Sequence, residues 1–444
     1  MNYLEVANLA VETARKSGCS AAEAYVLDAK SLTVEIANQE LETMKFAEDT
    51  GIGLRVFSSK GTVGFAYSTS LDNLEDLARQ ALGNSKKSFA DQYNTLPALS
   101  QKITNLKLLD EAIAAATVEE KISLAKQVEL SARQTDSRVT RTERCAYQDA
   151  EYGIALANSN GLGTYYRSGY CGLYGSVLAE KDGDVQTGTG LYYTRNFADL
   201  NAATVGREAA LDAALLLGAK SIGTTKATLI LNQHVATNFF SVIIPALCAD
   251  SVQKGRSLFK NKIGKQVVSP LINLIDDGRL AGGIATRPVD GEGVPTQRTH
   301  LITNGTLNNY LYNTYTAAKD DVVSTGNGIR GSFKSMPEVG PTNIFIQPGD
   351  ISREKLIKEV KNGFFVTSVM GMHTANPISG DFSIGAAGVW VKDGEFTHAV
   401  RGVAIAGNIL DLFGEVDAVA NDLRFYGAQG APTIRIRNIT ISGS

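Results

Sequence analysis

The sequence predicts an α+β protein, with N-terminal α/β lobes on a mixed sheet and a β-rich, barrel-like C-terminal domain. Three observations carry that reading. Helix-spaced apolar residues followed by alternating strand segments occur twice before residue 220, the pattern of α+β layers. Beyond that point the pattern changes to short strand segments separated by glycine. The 43 glycines far outnumber the 10 prolines, and glycine supplies the positive-φ turns that join strands. A chain of 444 residues also exceeds what one hydrophobic core usually supports. The domains are therefore drawn as 1–220, divisible into lobes at 1–85 and 115–220, and 221–444.

The first element is an amphipathic helix, because Leu4, Ala7, Ala10, Val11 and Ala14 share one face and Gly18 follows as a stop. Alternation then marks strands at Ala24–Leu27, Leu32–Ile36, Gly51–Phe57 and Thr62–Tyr67, the last two joined by a hairpin turn at Ser59-Lys60-Gly61. Asp72 is expected to cap a helix that carries Leu74, Leu77, Ala78, Ala81 and Leu82 on one side. Residues 84–109 lack periodicity and read as a connecting segment. Thr117 and Glu120 have the spacing of a capping box, which opens a helix buried through Ile122, Ala125, Val128 and Ala132. Strands follow near 140–158, 163–179 and 185–193, then a helix over 201–217. The second domain begins with a strand at Ala227–Leu231 and a helix, then mostly short strands.

Bulk properties exclude several function classes. A net charge of -3 with scattered Lys and Arg offers no basic stripe for a phosphate backbone, so nucleic acid is not an expected partner. The cysteines Cys19, Cys145, Cys171 and Cys248 lack CxxC spacing, and reduced thiols in a cytoplasm fit them best. Glu5, Glu12, Arg15 and Lys16 interrupt the first apolar stretch, so no signal peptide is read there. The longest apolar runs, such as Phe239–Cys248, are half the roughly 20 residues a membrane helix needs. A cytoplasmic protein without membrane contact is expected.

Two clusters are candidate sites. Gly371–Gly385 gathers His373, Asn376, Ser379, Asp381 and Ser383 into one stretch, either a loop presenting donors and acceptors to a peptide or second subunit, or a turn network that satisfies itself. Arg287–Thr296 pairs Asp290 with Glu292 among glycines. Paired acids bind cations or act as base and acid, but calcium loops need more oxygen ligands at tighter spacing, which favours a structural turn. Thr325–Gly331 lacks the lysine of a phosphate-binding loop. The four histidines His234, His300, His373 and His398 include no helical pair and no HExxH. His300, His373 and His398 lie in the β-rich part of the second domain, so their convergence in space is an open alternative. No GxSxG is present.

The motifs Asp290–Thr296, Ile302–Leu307, Ser324–Gly328, Gly340–Asn343, His373–Ser383, Ile405–Asn408 and Asn421–Leu423, with Gly51–Phe57 and Gly64–Ala66 upstream, together resemble the TldD/PmbA family, once described as modulators of DNA gyrase. In that family the TldD branch carries an HExxxH helix and a later cysteine that bind the catalytic zinc, whereas the TldE/PmbA branch does not. Here Phe240, Ser241 and Pro245 stand at the three motif positions, and none can act as a zinc ligand or a glutamate base. The resemblance therefore implies a branch member with no catalytic residue and no metal of its own, partnered by a TldD-type zinc peptidase subunit. A homodimer when alone is also compatible. The implied substrate is an unfolded or leader peptide, and the His373–Ser383 and Asp290–Thr296 loops would line the chamber or its seam. The alternatives are a self-contained metallopeptidase with unusual ligands such as His373 and Asp381, and a regulatory binding protein with no peptidase role.

Overall fold

The computed structural model describes residues 2–98, 103–104 and 106–443, so part of the expected 84–109 connecting segment lies outside the described residues. The N-terminal half is one antiparallel sheet of six strands. Its members are β1 (Ala21–Ala37), β2 (Glu40–Phe57), β3 (Val63–Ser68), β4 (Val139–Asn158), β5 (Gly163–Lys181) and β6 (Asp184–Thr194), in the order β3-β2-β1-β4-β5-β6. The two repeats of helix and strands thus share a sheet, joined where β1 runs antiparallel to β4. Every pairing in it is antiparallel, where a mixed sheet was expected. Sequence periodicity shows which residues form strands but not their relative direction.

Helices α1 (Tyr3–Lys16), α2 (Leu74–Ser85), α3 (Glu111–Ala115), α4 (Val118–Thr135) and α5 (Ala202–Leu215) complete this half. The apolar face of α1 sinks Ala7, Ala10, Val11 and Ala14 onto Ala22, Ala24, Val26, Ile52 and Leu54 of the sheet, together with α2. Farther along the same sheet α4 and α5 pack on Cys145, Tyr147, Leu173 and Val177. The capping box of α4 forms as read, with Glu120 N–H donating to Thr117 and Thr117 N–H donating to Glu120. The cap of α2 is Asn73, whose side chain accepts from Asp76 N–H at 3.2 Å, and not Asp72. β1 runs through as one strand of 17 residues, where two segments were expected. Its polar centre is satisfied across the sheet, with Thr50 donating to Asp28 at 2.6 Å and Lys30 paired to Glu48 at 3.0 Å.

The C-terminal half begins with β7 (Thr225–Leu231), α6 (Gln233–Ser241) and α7 (Ala249–Gln253). Then come β8 (Leu274–Asp277), β9 (Arg298–Thr303), β10 (Thr306–Leu307), α8 (Thr314–Asp320), β11 (Gly328–Ile329), β12 (Glu338–Val339), β13 (Ile344–Ile346) and α9 (Arg353–Lys358). The chain closes with β14 (Asn362–Met370), β15 (Asp381–Lys392), β16 (Glu395–Asn408), α10 (Ile409–Gly414), β17 (Val416–Val419), β18 (Arg424–Tyr426), β19 (Gln429–Ala431) and β20 (Ile434–Ser442). Strands β16-β15-β14-β7-β20 form a barrel, closed where β16 pairs with β20. A second sheet runs β10-β9-β8-β13-β19-β18. Mixed direction occurs here, since β14 is parallel to β7 and β13 to β19. One core joins the barrel residues Leu229, Phe364, Ile384 and Ile405 to Leu274, Leu301 and Ile344 of the second sheet, with Phe239 and Phe240 of α6 in the same cluster.

Candidate functional site

Helix α6 is the first place to test for a metal. Asn232 caps it, accepting from Val235 N–H at 2.8 Å. Phe239 and Phe240 are buried, and Phe239 meets Phe382 edge-on with ring centres 5.3 Å apart. Ser241 spends its hydroxyl on Asn238 C=O at 2.7 Å, and Pro245 opens a separate single turn. An aromatic ring in a core, a hydroxyl bonded to its own helix and a proline do not fit a zinc ion, whose ligands are thiolate, imidazole and carboxylate. Burial pushes the Cys248 thiol up to about 12. Among the described residues no group of three or more His, Cys, Asp or Glu side chains is arranged to hold a metal ion.

The His373–Ser383 loop joins β14 to β15. His373, Asn376, Ser379 and Asp381 are all exposed. Asn376 Oδ1 accepts from Ile378 N–H at 2.9 Å and Ser379 N–H at 3.2 Å, an Asx turn that follows from the Asn-Pro step. Asn408 at the end of β16 donates to Ser379 C=O at 2.9 Å and to Asp381 at 3.0 Å. That bond from Asn408, with one from Ser379, holds the Asp381 carboxyl below its ordinary range. The loop is therefore a self-satisfied turn network that presents its imidazole and hydroxyls outward.

Asp290 and Glu292 lie elsewhere, buried where the second domain meets the N-terminal sheet. Asp290 accepts from Glu292 N–H and Val294 N–H, each at 2.9 Å, and from Gly328 N–H at 2.7 Å. Burial, followed by the neighbouring Glu292 charge, nonetheless pushes its carboxyl upward. Glu292 accepts from Thr314 N–H at 2.7 Å and from Arg55 at 3.0 Å. Arg55 also pairs with Glu23 at 2.9 Å, and Glu23 takes Arg330 on its other oxygen. The result is an alternating buried chain Arg330–Glu23–Arg55–Glu292 across the junction. Among the described residues the two loops share no hydrogen-bond partner.

The Glu23, Arg55 and Arg330 members escape a reading of motifs alone. On β1 and β2 the residues Ala22, Ala24, Leu54 and Val56 face the helices, so Glu23 and Arg55 fall on the opposite face. In a sequence they look like solvent-facing charges of a half-buried sheet. The glycines of Gly51–Phe57 are the usable signal. A Cβ on Gly51 would stand 2.3 Å from the Phe333 ring and one on Gly53 2.3 Å from Phe333 C=O. Something must therefore cover that face closely.

Models of the PmbA/TldA metallopeptidase match the chain in three pieces, domain 1 over residues 22–85, the central domain over 111–217 and the C-terminal domain over 224–443. The metalloprotease PmbA of Escherichia coli O157:H7 is 31% identical over 434 residues, spanning 95% of this chain and 92% of that one. A metalloprotease TldD homolog of Haemophilus influenzae is 27% identical, spanning 90% and 88%. Among solved structures, a Thermotoga maritima protein provisionally described as a modulator of a DNA gyrase has a TM-score of 0.92 at 28% identity, covering 99% of this chain and 100% of that one. TldE from Thermococcus kodakarensis reaches 0.90 over 99% and 100% at 20% identity, a likeness of fold.

Proposed function

We propose, on the premise that this chain belongs to the PmbA/TldD metallopeptidase family, that it is the zinc-free subunit of a cytoplasmic two-chain peptidase acting on unfolded or leader peptides. The observation that carries the reading is α6. Its positions Phe240 and Ser241, and Pro245 beyond it, serve packing and helix termination and leave no ligand set. Hydrolysis in this reading belongs to a zinc-bearing TldD-type partner, and this chain contributes surface.

The exposed His373, Asn376, Ser379 and Asp381 are the residues we assign to peptide contact. A rim loop at the end of two long strands offers backbone and hydroxyl partners to an extended peptide without selecting its side chains. Asp290 and Glu292 we assign to the seam, where Glu292 pairs with Arg55 of the N-terminal sheet and Asp290 shapes the loop that carries it. Among the described residues no helix is long and apolar enough to cross a membrane.

Co-expression with a relative that carries HExxxH tests the reading. We expect a complex stable to size exclusion, and peptide hydrolysis that requires both chains. A partner equally active alone, or zinc-dependent hydrolysis by this chain alone, would overturn it.

A further inference from the structure

A cavity of about 330 Å³ lies on the sheet face opposite the helices. Its floor is a patch of cross-strand neighbours. Leu27 stands opposite Ile154, Ala29 opposite Tyr152, and Tyr166 of β5 opposite Ile154, with Tyr25 alongside. Its roof is Ala285–Arg287 and Arg330–Gly331 of the second domain. Among the described residues no acidic side chain lines it.

The charge around it is unbalanced. Arg330 and Arg55 are matched by Glu23 and Glu292. Two further guanidiniums form no ion pair among the described residues, although the charge of Arg287 is felt by the buried Asp276 carboxyl beyond ion-pair distance. Arg195 spends its nitrogens on the Ser168 hydroxyl and on carbonyls, including Thr286 of the roof and Gly283 and Ile284 just before it. Arg287 makes only one side-chain hydrogen bond among the described residues, from Nε to Ala285 C=O at 3.3 Å. Among the described residues its two terminal nitrogens have no hydrogen-bond partner, and they form a fork that suits a carboxylate. Burial raises the Tyr25 and Tyr166 phenols, so both keep their protons and can donate. The remaining wall, Leu27, Ala29 and Ile154, is apolar.

We infer that this cavity binds the free carboxylate end of a short apolar peptide, with the carboxylate on Arg287 and the terminal side chain on Leu27 and Ile154. An apolar pocket with a few convergent donors is the usual form of a small-ligand site. The choice of a peptide over other carboxylates rests on the function proposed above, while the anion site itself rests on the geometry. Occupation would place a product-like end at the junction of the two domains, against the Arg330–Glu23 pair.

Calorimetric titration of the full chain, without any partner, with acetyl-Ala-Leu and with its C-terminal amide is the test. The free acid should bind at least tenfold more tightly than the amide. Arg287→Gln should remove that preference, and Arg287→Lys should retain part of it. Because Arg287 makes one long bond, the melting temperature of Arg287→Gln should match the parent, which certifies folding. Equal binding of acid and amide, no binding to the folded parent at millimolar ligand, or an unchanged preference in Arg287→Gln would each overturn the inference. So would inorganic phosphate binding as tightly as the peptide acid. A chain that passes this test yet forms no peptidase complex would sink the proposed function and leave this site standing.

Discussion

Replacing Arg55 with Met should destabilise the whole molecule, by an amount the junction geometry sets. The Arg55 side chain is 6% exposed and its two partners, Glu23 and Glu292, are 0% exposed. Burial works against its charge, but the two carboxylates more than offset this and hold the guanidinium above its ordinary pKa. Removing it strips one bond from each carboxylate. Among the described residues Glu23 keeps Arg330, and Glu292 keeps only Thr314 N–H. Two buried acceptors left short cost about 1–3 kcal/mol each, in line with about 3–5 kcal/mol for breaking a buried pair. Unfolding entropy near 60 °C is about 2.1 cal/mol/K per residue. Over 444 residues melting as one unit, that loss lowers Tm by about 3–5 °C. Differential scanning calorimetry reads it directly. The double variant Arg55→Met with Glu292→Met should recover part of the loss, since replacing a buried pair with apolar side chains is often neutral. A single variant that melts within about 1 °C of the parent would mean that the buried chain of charges does not hold the two halves together.

Three further outcomes are expected. Gly51→Ala forces a Cβ within 2.3 Å of Phe333 and should cost about 1–3 kcal/mol, while Phe333→Ala should cost about 3–5; in urea denaturation the double variant should lose less than the sum, and strict additivity would refute the shared contact. Burial lifts the Asp276 carboxyl from 3.8 to about 6 despite donors on Asn327 and Thr342; the folded state therefore holds the proton more tightly than the unfolded one, and stability is lost as pH rises from about 4 to about 6. Relative to Asp276→Asn the parent should lose up to about 3 kcal/mol across that window, and a flat difference curve would contradict it. In the two-chain peptidase proposed above, Asn376→Ala should raise KM with little change in kcat, because it loosens the exposed Asx turn and leaves the core intact; unchanged KM would remove the rim loop from peptide binding.

The parts of this molecule legible in its sequence are those decided locally. The buried stripe Ala7, Ala10, Val11, Ala14 and the capping box at Thr117 and Glu120 are local patterns, and both occur as read. The N-terminal half of β2 was missed because residues 40–48 are exposed on both faces, so no apolar alternation marks it. The single sheet depends on β1 pairing with β4 across more than a hundred residues, and barrel closure rests on two residue pairs between β16 and β20. Neither leaves a periodic trace. Of the candidate site, the polar density around Asn376 was visible and so was its self-satisfying alternative. The rest of the buried chain that ends on Glu292 is not, because Glu23, Arg55 and Arg330 come from three segments that only the folded chain brings together.

Zinc analysis by mass spectrometry, on this chain purified alone and after co-expression with an HExxxH-bearing relative, tests the central claim most directly. A chain that serves packing with Phe240 and Ser241 should carry far less than stoichiometric zinc alone and none that tracks activity, while the complex carries zinc in proportion to the partner. Stoichiometric zinc retained by this chain alone through dialysis against a chelator, together with peptide hydrolysis, would contradict it.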